Sequence, residues 1–113
     1  MPITNSKIKS YDFLSGMYRD SYFPDFLVDK IRGVLIDLCE KIEAQLPETP
    51  EALFLLTHSA TESINDLGEE FEENGSELET EAREVMAENF DFIVKAYGFP
   101  DVDIEDVIAP REW

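Results

Sequence analysis

The sequence predicts an all-α protein, an antiparallel bundle of three long amphipathic helices with short helical segments at both ends. Apolar residues recur at helical spacing along three segments of the chain. No segment alternates polar and apolar residues over the length of a strand. A chain of 113 residues can bury a hydrophobic core without crosslinks. We therefore expect residues 1–113 to form a single helical-bundle domain.

An aromatic segment, residues 1–23, precedes the long helices and is expected to pack on the bundle. It holds a short predicted helix around residues 12–17. Pro24 then suits the first turn of a longer helix, because its missing N–H has no intrahelical partner there. The apolar stripe of this first long helix comprises Leu27, Ile31, Val34, Leu35, Leu38, Ile42 and Leu46.

The second long helix is predicted to begin at Thr49 and Pro50. Threonine is a good N-cap, and proline is favoured at the first helical position. Its apolar stripe ends at Phe71, and the pair Asn74–Gly75 is expected to end the helix, since both residues tolerate the left-handed conformation.

The third long helix is predicted to begin at Ser76, with Glu79 three residues later completing a capping box. Gly98 and Pro100 are expected to end it. A short last helix is predicted around residues 103–109. All connections between the long helices are short, which is typical of an antiparallel bundle.

The charge of the chain is extreme and unevenly distributed. The formal net charge is −17. Residues 1–41 hold six acids and six bases, whereas residues 42–113 hold twenty acids and three bases. Such a field repels nucleic acid and anionic membranes and attracts basic proteins or cations.

The single cysteine, Cys39, excludes an intrachain disulfide and favours a reducing compartment. We expect it to be a buried, inert thiol. The N-terminal residues lack the apolar core of a signal peptide, and no apolar run is long enough to cross a membrane. The sequence therefore predicts a soluble, cytoplasmic protein.

Four stretches carry a resemblance to a known family: "MYRDSYFPDFLVDK", "LTHSATESINDLGEEFEENGSELETEARE", "AYGF" and the terminal "REW". Together they resemble a family of small acidic bacterial proteins known only as a domain of unknown function. The resemblance covers roughly residues 16–113. It implies a bacterial origin and a single domain, and it assigns no activity and no functional residue.

The most unusual stretch is "EEFEENGSELETE", residues 69–81, with seven glutamates and no basic residue. Its leading glutamates, residues 69–73, fall in the last turns of a predicted helix. Negative charge is unfavourable there by about 0.3–1 kcal/mol per residue. Like charges at i,i+4 add about 0.2–0.5 kcal/mol per pair. The stretch can be a solvated face that keeps the protein soluble, and the concentration of the repulsion at one hairpin adds weight to the alternative, a docking surface for a basic partner.

Helical geometry places several of these acids on one face of the second helix, together with the only histidine. No phosphate-binding loop, nucleophile elbow or EF-hand pattern is present, so we predict no catalytic residue and no cofactor. One histidine is too few for the usual zinc or di-iron ligand set. The candidate partner-binding residues are His58, Glu62, Asp66, Glu69, Glu70, Glu73, Glu77 and Glu81.

These observations predict a non-enzymatic acidic protein that docks or neutralises a basic protein partner. The most concrete version is an immunity or antitoxin-type inhibitor of a bacterial toxin, for example a nuclease, whose nucleic-acid-binding surface is basic. We expect neither nucleic acid nor a membrane as partner, and the oligomeric state stays open. The alternative is a divalent-cation-binding module or a metal-dependent enzyme that uses the carboxylates near the hairpin.

Overall fold

The computed structural model describes residues 3–113, which form helices and connecting segments without a β-strand. Three helices are long and three are single turns. The all-α prediction is confirmed, and the antiparallel order of the long helices stays a prediction. In chain order the helices are α1 (Ser6–Lys9), α2 (Ser15–Tyr18), α3 (Asp25–Gln45), α4 (Pro50–Glu73), α5 (Thr80–Ala96) and α6 (Ile104–Val107).

One hydrophobic core joins these elements. Helix α3 packs chiefly on α4, while α5 contacts α1, α2 and α6. Each long helix buries the larger part of its apolar stripe in the core. Leu35, Ile64 and Phe90 are fully buried examples, one from each long helix. Among the described helices, none has an apolar stretch that would reach across a bilayer.

Helix α4 begins as the sequence predicts. The Oγ1 atom of Thr49 accepts a hydrogen bond from the backbone N–H of Ala52 at 3.2 Å, and Pro50 occupies the first helical position. At the other end Gly75 adopts the left-handed conformation, with φ +75°. The N–H of Ser76 then donates to the carbonyl of Phe71 at 2.8 Å, which closes the last turn.

The predicted start of the third long helix at Ser76 is wrong, because α5 begins at Thr80. The capping box between Ser76 and Glu79 does not form. The N–H of Ser76 is already used to close α4, and its side chain is buried without a hydrogen-bond partner for Oγ. Glu79 takes the N-cap position in an extended conformation. Residues 76–79 therefore form a connection between the two helices.

The N-terminal segment contributes to the core through an unusual turn at Leu14. This buried residue has a left-handed backbone, with φ 57°. Its N–H donates to Oδ1 of Asn89 at 3.0 Å, while Nδ2 of Asn89 donates to the carbonyl of Val85 at 2.7 Å. Gly16 lies so close to α5 that an added Cβ would sit 2.9 Å from a methyl group of Val85. Asn89 thus connects the N-terminal segment to the third long helix.

A second connection to the N-terminus is made by Glu43 on α3. One carboxylate oxygen accepts from the N–H and Oγ1 of Thr4, both at 2.8 Å. The other accepts from the N–H of Asn5 at 3.2 Å and from the hydroxyl of Tyr97 at 2.5 Å. Burial alone would raise the pKa of Glu43, but the hydrogen bonds from Tyr97, Thr4 and Asn5 lower it to about 2.

The sequence places Leu46 on the buried stripe of α3, and this prediction is wrong. Leu46 lies just past the helix end, where it is 72 % exposed and has a left-handed backbone, with φ 49°. A left-handed conformation strains residues with a Cβ by roughly 1–2 kcal/mol. The helix therefore ends in a conformation that glycine adopts more readily.

We expect Leu46→Gly to raise the free energy of unfolding by about 0.5 kcal/mol, because relief of strain exceeds the added freedom of the unfolded chain. Leu55→Gly is the matched control, since Leu55 is also exposed, at 75 %, but lies inside α4. That change should lower stability by about 1 kcal/mol. Urea unfolding of both variants measures whether the two changes in stability have opposite signs. Equal losses of stability would contradict the prediction.

Candidate acidic docking surface

The outward face of α4 carries Glu62, Asp66, Glu69 and Glu73, all of them exposed. The opposite face of the helix is buried through Ile64 and Phe71. Residues three, four and seven apart share a helix face, so these four carboxylates follow one another along two to three turns. The structure therefore places these predicted acids together in the solvent.

A polar groove of about 580 Å³ runs beside this face. Gly68 leaves room in its wall because it has no side chain. The other lining residues are Asn65, Asp66, Glu69, Glu72 and Glu112. A smaller cavity of about 240 Å³ shares Asn65, Gly68, Glu72 and Glu112 and adds Glu77, Leu78 and Trp113. We call the two cavities together the acidic groove.

The acidic groove exists because the C-terminal segment folds back onto α4. Nδ2 of Asn65 donates to the carbonyl of Pro110 at 3.0 Å, and its Oδ1 accepts from the N–H of Glu112 at 2.8 Å. One asparagine thereby pairs with two backbone groups of the segment. This clamp brings the carboxylate of Glu112 opposite those of α4.

His58 also holds the C-terminal part of the chain. Its Nε2 lies 2.7 Å from the carbonyl oxygen of Asp106. Because a carbonyl oxygen can only accept, Nε2 carries the proton and donates it in this hydrogen bond. Its ring stacks on that of Phe54, with centroids 5.8 Å apart. The structure thus gives this predicted partner-binding residue an intramolecular role in positioning α6.

Within residues 3–113, no ion pair joins the carboxylates of the groove to a basic side chain. The ion pairs of these residues join Lys30 to Glu70, Lys41 to Asp37, Lys95 to Asp91 and Arg111 to Glu105. Among these residues, none of Asp66, Glu69, Glu72 and Glu112 takes part in such a pair. Their charges therefore add to one negative field over the groove.

Three further predicted residues, Glu70, Glu77 and Glu81, lie off the exposed face of α4 that carries the other acids. Glu70 faces α3, where it pairs with Lys30 at 2.8 Å. Glu77 lies in the connection after α4 and lines the smaller cavity. Glu81 stands beside Asp20 of the N-terminal segment, and a hydrogen bond between the two carboxyl groups raises the pKa of Glu81. The eight predicted residues therefore divide among several faces.

Sequence reasoning missed two acids of the groove, Glu72 and Glu112, and the residue that positions one of them, Asn65. Glu72 was part of the recognised cluster but lies off the helical face used to choose candidates. The contact of Glu112 with Asn65 spans 47 residues. No local pattern in the sequence indicates so distant a pairing.

Two observations concern metal and thiol chemistry among the described residues. Within residues 3–113, no group of three or more His, Cys, Asp and Glu side chains is arranged to hold a metal ion. Cys39 is fully buried, and burial, the largest effect, raises the pKa of its thiol to about 12. A thiol of this kind is a poor nucleophile at neutral pH.

Comparison with known proteins adds one finding. The model of a family described as a family of unknown function matches residues 7–113. No curated protein matches the chain, and no solved structure matches it either.

Proposed function

Because this chain belongs to the family of unknown function DUF5713, a description that names no activity, we propose a function from the surface itself. The protein is an acidic binding protein that docks or neutralises a basic protein partner. The observation that carries this proposal is the acidic groove, in which Asp66, Glu69, Glu72 and Glu112 meet and none of them forms an ion pair with a basic side chain among the described residues.

The groove is more than a solvated helix face. Two of its walls come from distant parts of the chain, α4 and the segment that ends at Trp113. Asn65 holds those walls together through two hydrogen bonds to the backbone. A lysine or arginine side chain that enters such a groove finds carboxylates on both sides, which favours charge-assisted hydrogen bonds.

In its most concrete version, the partner is a bacterial toxin and this protein is its immunity or antitoxin-type inhibitor in the cytoplasm. A nuclease toxin needs a basic surface to hold nucleic acid, and the acidic groove is complementary to such a surface. The net charge of −17 would also accelerate capture. Opposite fields raise association rates to about 10⁸ M⁻¹s⁻¹ or more at low salt.

The test is a groove variant that carries Asp66→Asn, Glu69→Gln and Glu72→Gln. We expect it to be more stable than the wild type by about 0.5–1 kcal/mol at low salt. The changes relieve like-charge repulsion along α4 and unfavourable charges at its C-terminal end. We also expect it to lose the basic proteins that the immobilised wild type retains from a lysate of the native host.

The matched control carries Asp12→Asn, Glu48→Gln and Asp101→Asn, three exposed acids outside the groove. It changes the net charge by the same amount. The control should retain the partner, and the association rate of the purified partner should fall for the groove variant alone. Equal losses for both variants would mean that only total charge matters. Equal retention by both would remove the groove from the mechanism.

A further inference from the structure

Two exposed aromatic residues, Tyr22 and Phe26, lie in the turn before α3 and in its first turn. Tyr22 is 42 % exposed and Phe26 is 53 % exposed. The other aromatic residues of the N-terminal part are better covered, and Phe23 between them is buried. Aromatic side chains in such positions are typical anchors of protein interfaces.

Contacts with α4 place this pair at the C-terminal end of that helix. The ring of Tyr22 packs edge-on against Phe23 at 5.2 Å, and Phe23 packs against Phe71 at 6.4 Å. One turn beyond Phe26, Lys30 pairs with Glu70. Phe26 precedes Lys30 by one turn of α3, so the two residues share a face of that helix, the face on which Lys30 meets Glu70 of α4.

Acidic residues lie beside Tyr22. The N–H of Tyr22 donates to the carboxylate of Asp20 at 3.0 Å, and Asp20 stands beside Glu81. Burial and then the negative charges of Glu79 and Glu77 raise the pKa of Tyr22. An apolar centre with a charged rim is the usual anatomy of a protein interface.

We propose that Tyr22 and Phe26 form the apolar anchor of a docking face for a basic, amphipathic segment of a protein partner. An apolar side chain of that segment packs on the two rings, and its lysines or arginines meet the acidic rim. A second copy of this chain is a poor occupant, because each copy carries a net charge of −17. An anionic membrane is repelled for the same reason.

This inference rests on the proposed function, since it assumes a basic partner, and it adds where the partner's apolar contact lies. The face is separate from the acidic groove. Phe71 and Glu70 belong to the side of α4 that meets the N-terminal segment and α3, whereas Glu72 and Asn65 belong to the side that meets the C-terminal segment. Variants of the two surfaces can therefore be compared.

The experiment uses two synthetic peptides of equal length and charge, an amphipathic leucine–lysine helix and an oligolysine whose other positions are serine. Their affinities are measured by calorimetry for the wild type, the Tyr22→Ala/Phe26→Ala variant and the groove variant. Leu55→Ala is the control for loss of an exposed apolar side chain. We expect the aromatic variant to bind the leucine–lysine peptide about tenfold more weakly or worse, with unchanged oligolysine affinity.

Several results would overturn the inference. If the aromatic variant binds the leucine–lysine peptide as the wild type does while the groove variant does not, the proposed function stands and this docking face falls. If neither peptide binds the wild type, both proposals fall. A wild-type dimer in sedimentation that Phe26→Ala abolishes would assign the face to a second copy. If the double variant does not fold, the affinities of the single variant Phe26→Ala for the two peptides are compared with those of the wild type in the same way.

Discussion

We expect the replacement of Asn89 with leucine to lower the free energy of unfolding by about 2–3 kcal/mol. The Asn89 side chain is 3 % exposed and serves two backbone groups. Leucine has a similar size but cannot accept the N–H of Leu14. A buried N–H without a partner loses its hydration and gains nothing in return.

The loss of the Asn89 hydrogen bond also destabilises the turn at Leu14. Leu14 keeps its left-handed backbone only while surrounding contacts hold it there. We therefore expect urea unfolding of Asn89→Leu to show reduced stability, and hydrogen exchange to show faster opening of residues 13–18. Glu88→Gln, an exposed neighbour on the same turn, should stay within about 0.5 kcal/mol of the wild type. A similarly small effect of Asn89→Leu would mean that the Leu14 N–H finds another partner.

Glu43 is expected to make the protein sensitive to acid. Its pKa is about 2 in the folded protein, compared with an ordinary value of 4.5. A group with a lowered pKa in the folded state stabilises that state above its unfolded pKa. The contribution of Glu43 is therefore complete above about pH 4.5 and is lost as the pH falls toward 2.

Glu43→Gln should lower stability by about 1.5–3 kcal/mol at neutral pH, because glutamine is uncharged and has one acceptor oxygen, whereas both carboxylate oxygens of Glu43 accept hydrogen bonds. Its stability should also decline less steeply between pH 4.5 and pH 2 than that of the wild type. Urea midpoints measured across this range check both results. Glu48→Gln, an exposed acid nearby in sequence, should follow the wild-type curve. Parallel curves for wild type and Glu43→Gln would contradict the prediction.

The sequence predicts those features that depend on neighbouring residues. Thr49 and Pro50 start α4 because the cap and the fixed proline backbone act within three residues. Ser76 and Glu79 match an equally good local pattern, yet α5 begins at Thr80. The difference is that the N–H of Ser76 donates to Phe71 at the end of α4 and is not free for the Glu79 carboxylate, while the Oγ of Ser76 is buried without a hydrogen-bond partner.

The candidate site likewise has one part that the sequence predicts and one part that it does not. Helical periodicity places Glu62, Asp66, Glu69 and Glu73 on one face, and the structure has them exposed together. The opposite wall of the groove depends on Asn65 and Glu112, which meet only after the chain has folded. Periodicity also says nothing about which face a neighbouring segment covers. His58 follows the spacing of the acidic face but contacts the backbone of α6.

The clamp at Asn65 has a consequence for the order in which the protein matures. The groove needs Glu112, and the hydrogen bond that positions Glu112 closes a loop of 47 residues. Closure of so long a loop loses more chain entropy than formation of a helical turn, so it follows the folding of α4. If the chain stopped before Glu112, the acids of α4 would lie on an open surface and not in a groove. A partner that recognises the groove would thereby distinguish a chain folded as far as Glu112 from one in which only α4 has formed.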